Sequence, residues 1–599
     1  LKAAKMLSRL YRQSHSLPFL APTRGCSSAA PLGSLARHAD HSWLRHLSAD
    51  PETEAHAPNT HSREVRSGHF VRVLPTPLRA PKLVIHSPPV ARCLGMTDVD
   101  VFSDAFAAFF SGDQSKVLGL ESWCTPYALS IMGQPQYRNC PFGNGNGYGD
   151  GRAISIGEVV VESQRWEMQI KGGGRTPFCR GFDGRSVLRS SVREFLASEA
   201  MHNLGVETTR ALCLIVSESD VVARPWYSPR ARPFGVQNPD TMIQEPCAIA
   251  TRVAPSFLRV GHLDLFARRA VSPKSTELDR EEHEQMVRHA LFREFPSLCP
   301  EDMLLERSIA MLQVAADRIA SLVAGWLWVG YCQGNFNADN CLVAGRTMDY
   351  GPFGWIEKYD PLFSKWTGAG EHFGFMNQPT AAMHNYHTLV HSVIVPLGSS
   401  IESDKDTKEI ASELVQQGIE KIAGAAADTF RLKLGLPASL SREAVDLWRE
   451  LDPLMQRSSI DYTIFWRQLA SVLEVKASTA EAALVPLLEA FYIDPCESLR
   501  SEWDAWLRKW LGTLETHALI NGRFDEATAQ IRAVNPKYVP REWMLVQAYE
   551  EAAEGNYGTV HELYELFLNP YAEQPQFEAK YYKRASEISL QQPGCAYMS

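Results

Sequence analysis

Trp166-Glu167-Met168-Gln169-Ile170-Lys171, followed by Gly172-Gly173-Gly174 and then by Glu194, is the stretch that decides the fold. Apolar and polar residues alternate through it. A strand therefore puts Trp166, Met168 and Ile170 on one face and Glu167, Gln169 and Lys171 on the other. Beyond the glycines, Leu188, Val192, Phe195, Leu196 and Ala200 recur at helical spacing. They predict a helix over about 187–204, stopped by Gly205. Strand-like runs at 211–216 and 248–253, with a Pro-rich loop over about 224–246 between them, complete a small α/β unit.

After residue 260 the patterning turns helical. Ile309, Leu312, Ala316, Ile319, Val323 and Trp326 form the stripe of a long buried helix. A polar loop, Gln333 to Asn340, and a short strand ending at Asp349 come next. Helical patterns then dominate 406–435, 442–451 and 462–530. The class expected is α+β and bilobal, with a small mixed N-lobe over 66–260 and a large helical C-lobe over 261–599. Upstream, the first 39 residues hold six Lys or Arg and no Asp or Glu, the composition of an organelle transit peptide. Residues 1–65 are read as targeting sequence and linker. Mitochondrion is the first expectation for location, with plastid and cytoplasm as alternatives.

The whole chain agrees with such a protein. Its 599 residues exceed one ordinary core and suggest two to four lobes. With 60 Lys and Arg against 69 Asp and Glu, the net charge of −9 argues against a general nucleic-acid binder. No run of eighteen apolar residues points to a membrane span. Twelve cysteines without a C-x-x-C pair suggest neither a disulfide scaffold nor a zinc ribbon.

The chemistry-bearing residues come in a fixed order. Gly143-Asn-Gly-Asn-Gly-Tyr-Gly-Asp-Gly-Arg152 has five glycines in nine residues, then a fixed cation. Such a run lets backbone amides approach an anion. Lys171 on its strand and Glu194 on the next helix match the arrangement by which a carboxylate orients a phosphate-binding lysine. Arg252 and Arg259 offer guanidinium forks suited to phosphate oxygens. Asn340 and the Asp349-Tyr350-Gly351 motif supply hard oxygen donors for magnesium, as a kinase catalytic-loop Asn and Asp-Phe-Gly do. A kinase has an Asp five residues before that Asn; here the position is Asn335. That leaves a pseudokinase, or an enzyme whose base lies elsewhere, with Asp339 the nearest spare carboxylate.

Several long segments resemble the selenoprotein O family. They are Gly149-Asp-Gly-Arg-Ala153, Lys171-Gly with Thr176-Pro-Phe, Phe182-Asp-Gly-Arg-Ser-Val-Leu-Arg-Ser190, Arg193-Glu-Phe-Leu-Ala-Ser-Glu-Ala-Met201 and Thr251-Arg-Val-Ala-Pro-Ser256. Asn337-Ala-Asp-Asn340, Asp349-Tyr-Gly-Pro-Phe-Gly354, Asn377-Gln-Pro379 and Pro570-Tyr-Ala-Glu-Gln-Pro575 continue the match, over roughly 70–599. The resemblance implies a kinase-like fold that binds ATP in reverse and transfers AMP to Ser, Thr or Tyr hydroxyls of proteins. It implies that Gly149, Gly151, Arg152, Lys171, Asp183, Gly184, Arg252 and Arg259 contact ATP and that Glu194 orients Lys171. It further implies that Asn340 and Asp349 hold Mg²⁺ or Mn²⁺ and that Asp339 is the general base. The competing readings are a phosphotransferase with forward-bound ATP and an inactive nucleotide-binding scaffold. Three departures stand out. The region over 132–143 differs from the family's glycine-rich run, Gln333 replaces a histidine, and Lys365 stands where some members have a cysteine to pair with one near the C-terminus, here Cys595.

Overall fold

A computed structural model describes residues 31–138, 140, 143, 148–228, 239–298, 303–365, 370–398, 404–475, 480–521 and 524–590. Cys595, the first 30 residues and most of the run from Gly143 to Gly147 lie outside them. The protein is mixed α/β, with one eight-stranded antiparallel sheet near the N-terminus and helices through the rest.

Strand order in the sheet is Val71–Arg72, Trp123–Cys124, Ala153–Val161, Gln164–Lys171, Thr241–Ala254, Arg210–Trp226 and Pro81–His86, with Ala39–Asp40 also pairing Ala153–Val161. The strand ending in Lys171 is thus central and held on both sides. Its apolar residues Met168 and Ile170 enter a core beneath the sheet. The helix expected over 187–204 is Leu188–Asn203, packed on the opposite face.

Two expectations are corrected here. Residues 31–65 are not a linker. Leu32, Leu35, Trp43 and Leu47 are buried, and Trp43 stacks on Trp123 and meets the His289 ring edge-on. Short helices punctuated by His and Ser hid that apolar set from a periodicity reading. The Pro-rich run over 224–246 is not loop throughout: the flanking strands run on to Trp226 and start again at Thr241, paired from Val221↔Pro246 to Trp226↔Thr241. Pro225 and Pro246 fit there because the pairing with Pro81–His86 ends at Ser217 and the bridge to Val187 ends at Cys247, so at both prolines each strand is paired on one side, with the other. A missing N–H on the open side removes no ladder bond.

The long helix is Leu304–Val329, closed by Gly330 at φ 76°. It has the length and hydropathy to cross a bilayer, yet Leu312, Ala316, Ile319, Val323 and Trp326 are buried in the main core. The helices Gln378–Gly398 and Asp404–Lys433 pack against it. Ser441–Arg457, Tyr462–Val475 and Glu497–Asn521 enclose a second, tryptophan-rich core. Where a strand was expected before Asp349, single bridges Arg259↔Leu342, Cys341↔Thr347 and Thr208↔Thr347 fix the chain instead.

Buried histidines make this assembly acid-sensitive. The Nδ1 of His69 accepts the Ser48 N–H at 3.1 Å, and its Nε2 lies 2.8 Å from the Glu282 carbonyl oxygen, which requires the proton on Nε2. Burial pushes its pKa from 6.5 down to about 4. A protonated ring would turn a second donor against an N–H. Stability from this site is complete above pH 6.5 and is lost as pH falls toward 4, by about 3 kcal/mol at the acid end. In urea titrations from pH 7 to 4, His69→Gln is expected to show a shallower fall in stability than the parent. Equal slopes would refute this assignment.

Candidate active site

The register of the sheet builds the site. Lys171 lies opposite Ala250 on one neighbour and Ala153 on the other, and Arg252 lies opposite Gln169. The polar face of the strand is buried rather than solvated, with Lys171 only 8% exposed. The Nζ of Lys171 is 2.9 Å from Glu194 Oε2 and 2.6 Å from Asp349 Oδ1. Arg252 Nη1 lies 3.0 Å from the same Asp349 oxygen and 3.5 Å from Glu194 Oε1. Its Nη2 donates to Gln169 Oε1 at 2.6 Å. Two cations thus share two carboxylates, each from a different element.

Burial alone would push the Asp349 carboxyl up. Lys171, Arg252 and the nearby Arg152 overcome that and hold it well below the usual carboxylate range. Among the described residues, every hydrogen bond and ion pair to Asp349 is on Oδ1. That leaves Asp349 Oδ2 without a donor among the described residues, and Asp349 and Asn340, the metal candidates of the sequence, carry hard oxygen atoms of the kind magnesium and manganese take.

Second contacts fix these groups. The Tyr350 hydroxyl meets Thr208 Oγ1 at 2.5 Å, and Trp326 Nε1 donates to Thr347 Oγ1 at 2.8 Å. Arg193, next to Glu194, donates to the Phe353 carbonyl and pairs with Glu542, tying the Glu194 helix to the segment after Asp349. The loop from Gln333 to Asn340 is irregular, as expected. Gln378 Oε1 accepts the Gln333 N–H, and Asn385 Nδ2 donates to the Phe336 carbonyl. Asn335, where a kinase has its aspartate, has a structural part: its carbonyl accepts Asn340 Nδ2 at 2.8 Å. Gln333 likewise accepts the Asn335 N–H.

The glycine turn closes the other side. Tyr148-Gly149 pairs with Pro126-Tyr127, and a Cβ on Gly149 would sit 2.3 Å from the Phe178 ring. Asp150 accepts from Thr125 N and Oγ1 and lies 2.8 Å from Arg259 Nη2. Arg259 stacks 4.2 Å over the Tyr127 ring. Asp339 lies within reach of the Arg259 charge. Burial pushes its pKa up to about 6, while Arg259 and Arg180 pull it down. Its Oδ1 is buried and, among the described residues, is the one buried carboxylate oxygen with neither a hydrogen bond nor an ion pair.

A family model described as protein adenylyltransferase SelO matches residues 55–568. The chain belongs to the SelO family. A relative from Azoarcus sp. (strain BH72), named protein nucleotidyltransferase YdiU, is 36% identical across 94% of this chain and 98% of its own length. Relatives of the same name from Aromatoleum aromaticum and Tolumonas auensis are 35% and 33% identical over 94% of the chain.

For this SelO-family chain, the sequence-derived set falls into two groups. Lys171, Glu194, Arg252 and Asp349 form one ion-pair cluster, with Arg152 acting on Asp349 and Glu194. Asp339, Arg259 and the Gly149–Gly151 turn adjoin it. Asp183 is held by two Arg224 guanidinium nitrogens, at 2.8 and 2.9 Å, and lies within reach of the Arg152 charge, so it adjoins the cluster through Arg152 and not through an ion pair with Lys171 or Arg252. Gly184, at φ 70°, abuts the Gly174 carbonyl, where a Cβ would lie 2.0 Å away. Sequence reasoning missed Gln169, Asp150 and Gln378. Gln169 could have been found, since it shares the face of Lys171 two residues away.

Proposed function

We propose that this chain transfers AMP from ATP to hydroxyl groups of Ser, Thr or Tyr in proteins, releasing pyrophosphate. The sheet with the Glu194 helix acts as the small lobe of a kinase-like fold, and the helical remainder as the large one. The observation that carries the reading is the unpartnered Oδ1 of Asp339 beside a cationic cluster. A buried carboxylate oxygen without a donor is poised to accept one, and the incoming donor is the acceptor hydroxyl.

In this reading Lys171 and Arg252 bind phosphate oxygens, kept in place by Glu194 and Gln169. Arg259, whose Nη1 has no hydrogen-bond partner among the described residues, offers a further donor. Asn340 and Asp349 Oδ2 would hold Mg²⁺ or Mn²⁺, which when bound neutralises phosphate charge. The nucleotide lies with its innermost phosphorus toward Asp339. The acceptor oxygen bonds to that phosphorus as Asp339 takes its proton, the bond to the β-phosphate oxygen breaks, and pyrophosphate leaves with the electron pair. Catalysis in such transfers is mainly positioning and charge stabilisation.

Intact-mass spectrometry of the protein and a mixed acceptor preparation after incubation with ATP and Mg²⁺ tests this. An adenylyl increment is expected. A phosphoryl increment would replace the reading with a kinase, and nucleotide binding without any increment would replace it with an inactive scaffold.

A further inference from the structure

Of the site's cations, most are matched by a carboxylate. Lys171 and Arg252 share Glu194 and Asp349, Arg259 faces Asp150, and Arg224 takes Asp183. Arg180 differs. Among the described residues it has no hydrogen bond or ion pair through its side chain, which is exposed and lies over the Tyr148 ring, with 5.0 Å from the guanidinium carbon to the ring centre.

Its position is built. Arg180 has φ 54°, left-handed backbone that a non-glycine residue adopts only where its surroundings impose it. The surroundings are present. Thr176 Oγ1 donates to the Asp150 carbonyl at 2.6 Å, the Gly181 N–H donates to Ser62 Oγ at 3.1 Å, and the Phe182 N–H to the Cys179 carbonyl at 3.0 Å. The glycine turn and the Arg180 loop are therefore locked to one another. Tyr148 pairs across the turn with Tyr127, whose ring carries Arg259. Two arginine–tyrosine stacks thus stand side by side, Arg259 buried and neutralised, Arg180 open and unmatched. Arg180 therefore stands at the same turn whose Asp150 holds Arg259.

We propose that Arg180 is a catalytic residue that binds the non-bridging oxygens of the phosphoryl group under attack, so that charge developing there meets a guanidinium not already neutralised by the protein. This rests on the adenylyl-transfer reading. As the acceptor oxygen bonds to the α-phosphorus and the bond to the β-phosphate oxygen breaks, negative charge shifts over the equatorial oxygens. A preorganised donor aimed there acts on the transition state more than on bound ATP. Stacking on Tyr148 keeps the fork oriented without cancelling its charge.

The test compares Arg180→Ala and Arg180→Lys with the parent protein, following AMP incorporation into an acceptor preparation and ATP binding by calorimetry. Arg180→Ala is expected to lower kcat on the order of 100-fold, with ATP affinity changed by less than about threefold. Arg180→Lys is expected to recover part of the loss, and added methylguanidinium to restore part of the Arg180→Ala rate. An Arg180→Ala protein with kcat within about threefold of the parent overturns the proposal. So does a loss of ATP affinity that accounts for the whole loss of rate, or an Arg180→Ala protein whose melting temperature and rate fall together without guanidinium rescue. Failure of the underlying reading shows separately, as a parent protein that adds phosphoryl groups or nothing.

Discussion

Asp349→Ala is expected to reduce AMP transfer by about three orders of magnitude or more, the equivalent of several kcal/mol of transition-state stabilisation. The side chain has two tasks. One oxygen anchors Lys171 at 2.6 Å and Arg252 at 3.0 Å; the other, in the proposed reading, would be the carboxylate donor for the divalent ion. Removing both leaves two buried cations converging on Glu194 alone. The pocket then becomes more positive by one charge, so ATP binding without divalent ion is expected to hold or tighten. The extra affinity that Mg²⁺ confers on the parent disappears. Calorimetric titration of ATP with and without Mg²⁺, beside the rate of AMP incorporation, separates these effects. An Asp349→Ala protein within about tenfold of the parent rate, or one that keeps the full Mg²⁺ dependence, would remove Asp349 from its place in the reaction.

Much of this site was legible because its chemistry follows short-range rules. Alternation placed Glu167, Gln169 and Lys171 on one face, and helical spacing placed Glu194 on the next element. Their meeting follows from a central strand flanked by antiparallel partners. What could not be read is long-range. Arg252 reaches Asp349 across 97 residues of chain, and the partner of Asp183 proved to be Arg224, a residue of the run taken for loop. Residues 31–65 escaped because short helices and two-residue strands carry too few positions to show a period. The same limit hid the bridges before Asp349: they were read as a strand, although their partners lie in three separate segments. Asp150 sits among glycines whose conformational freedom drew attention first, yet its carboxylate anchors both Arg259 and Thr125.

Arg293→Ala is expected to destabilise the protein by about 3–5 kcal/mol, the largest stability effect of any single exchange considered. Arg293 ends the helix Glu277–Glu294 and is 5% exposed. It pairs with Glu158 and, at 2.9 Å, with Glu167, and donates to the Pro255 carbonyl at 2.8 Å and Ser42 Oγ at 3.1 Å. One side chain therefore joins two strands of the sheet, the turn leaving a third, and the N-terminal segment around Trp43. Burial pushes its pKa down to about 9 and that of Glu167 up to about 7, so desolvation weighs on both partners. Truncating the arginine leaves two carboxylates in the interior without a cation. Such a loss exceeds the net worth of the cluster, since charged groups removed together leave nothing uncompensated. Arg293→Met combined with Glu158→Gln and Glu167→Gln is accordingly expected to regain most of what Arg293→Ala loses. The single variant's defect should also shrink below pH 7, where a proton on Glu167 substitutes for the missing charge. Urea unfolding of the three proteins at pH 6 and 8 measures both effects. A single variant within about 1 kcal/mol of the parent, or a triple variant no more stable than the single, would show that packing against Trp43 rather than charge holds this junction together.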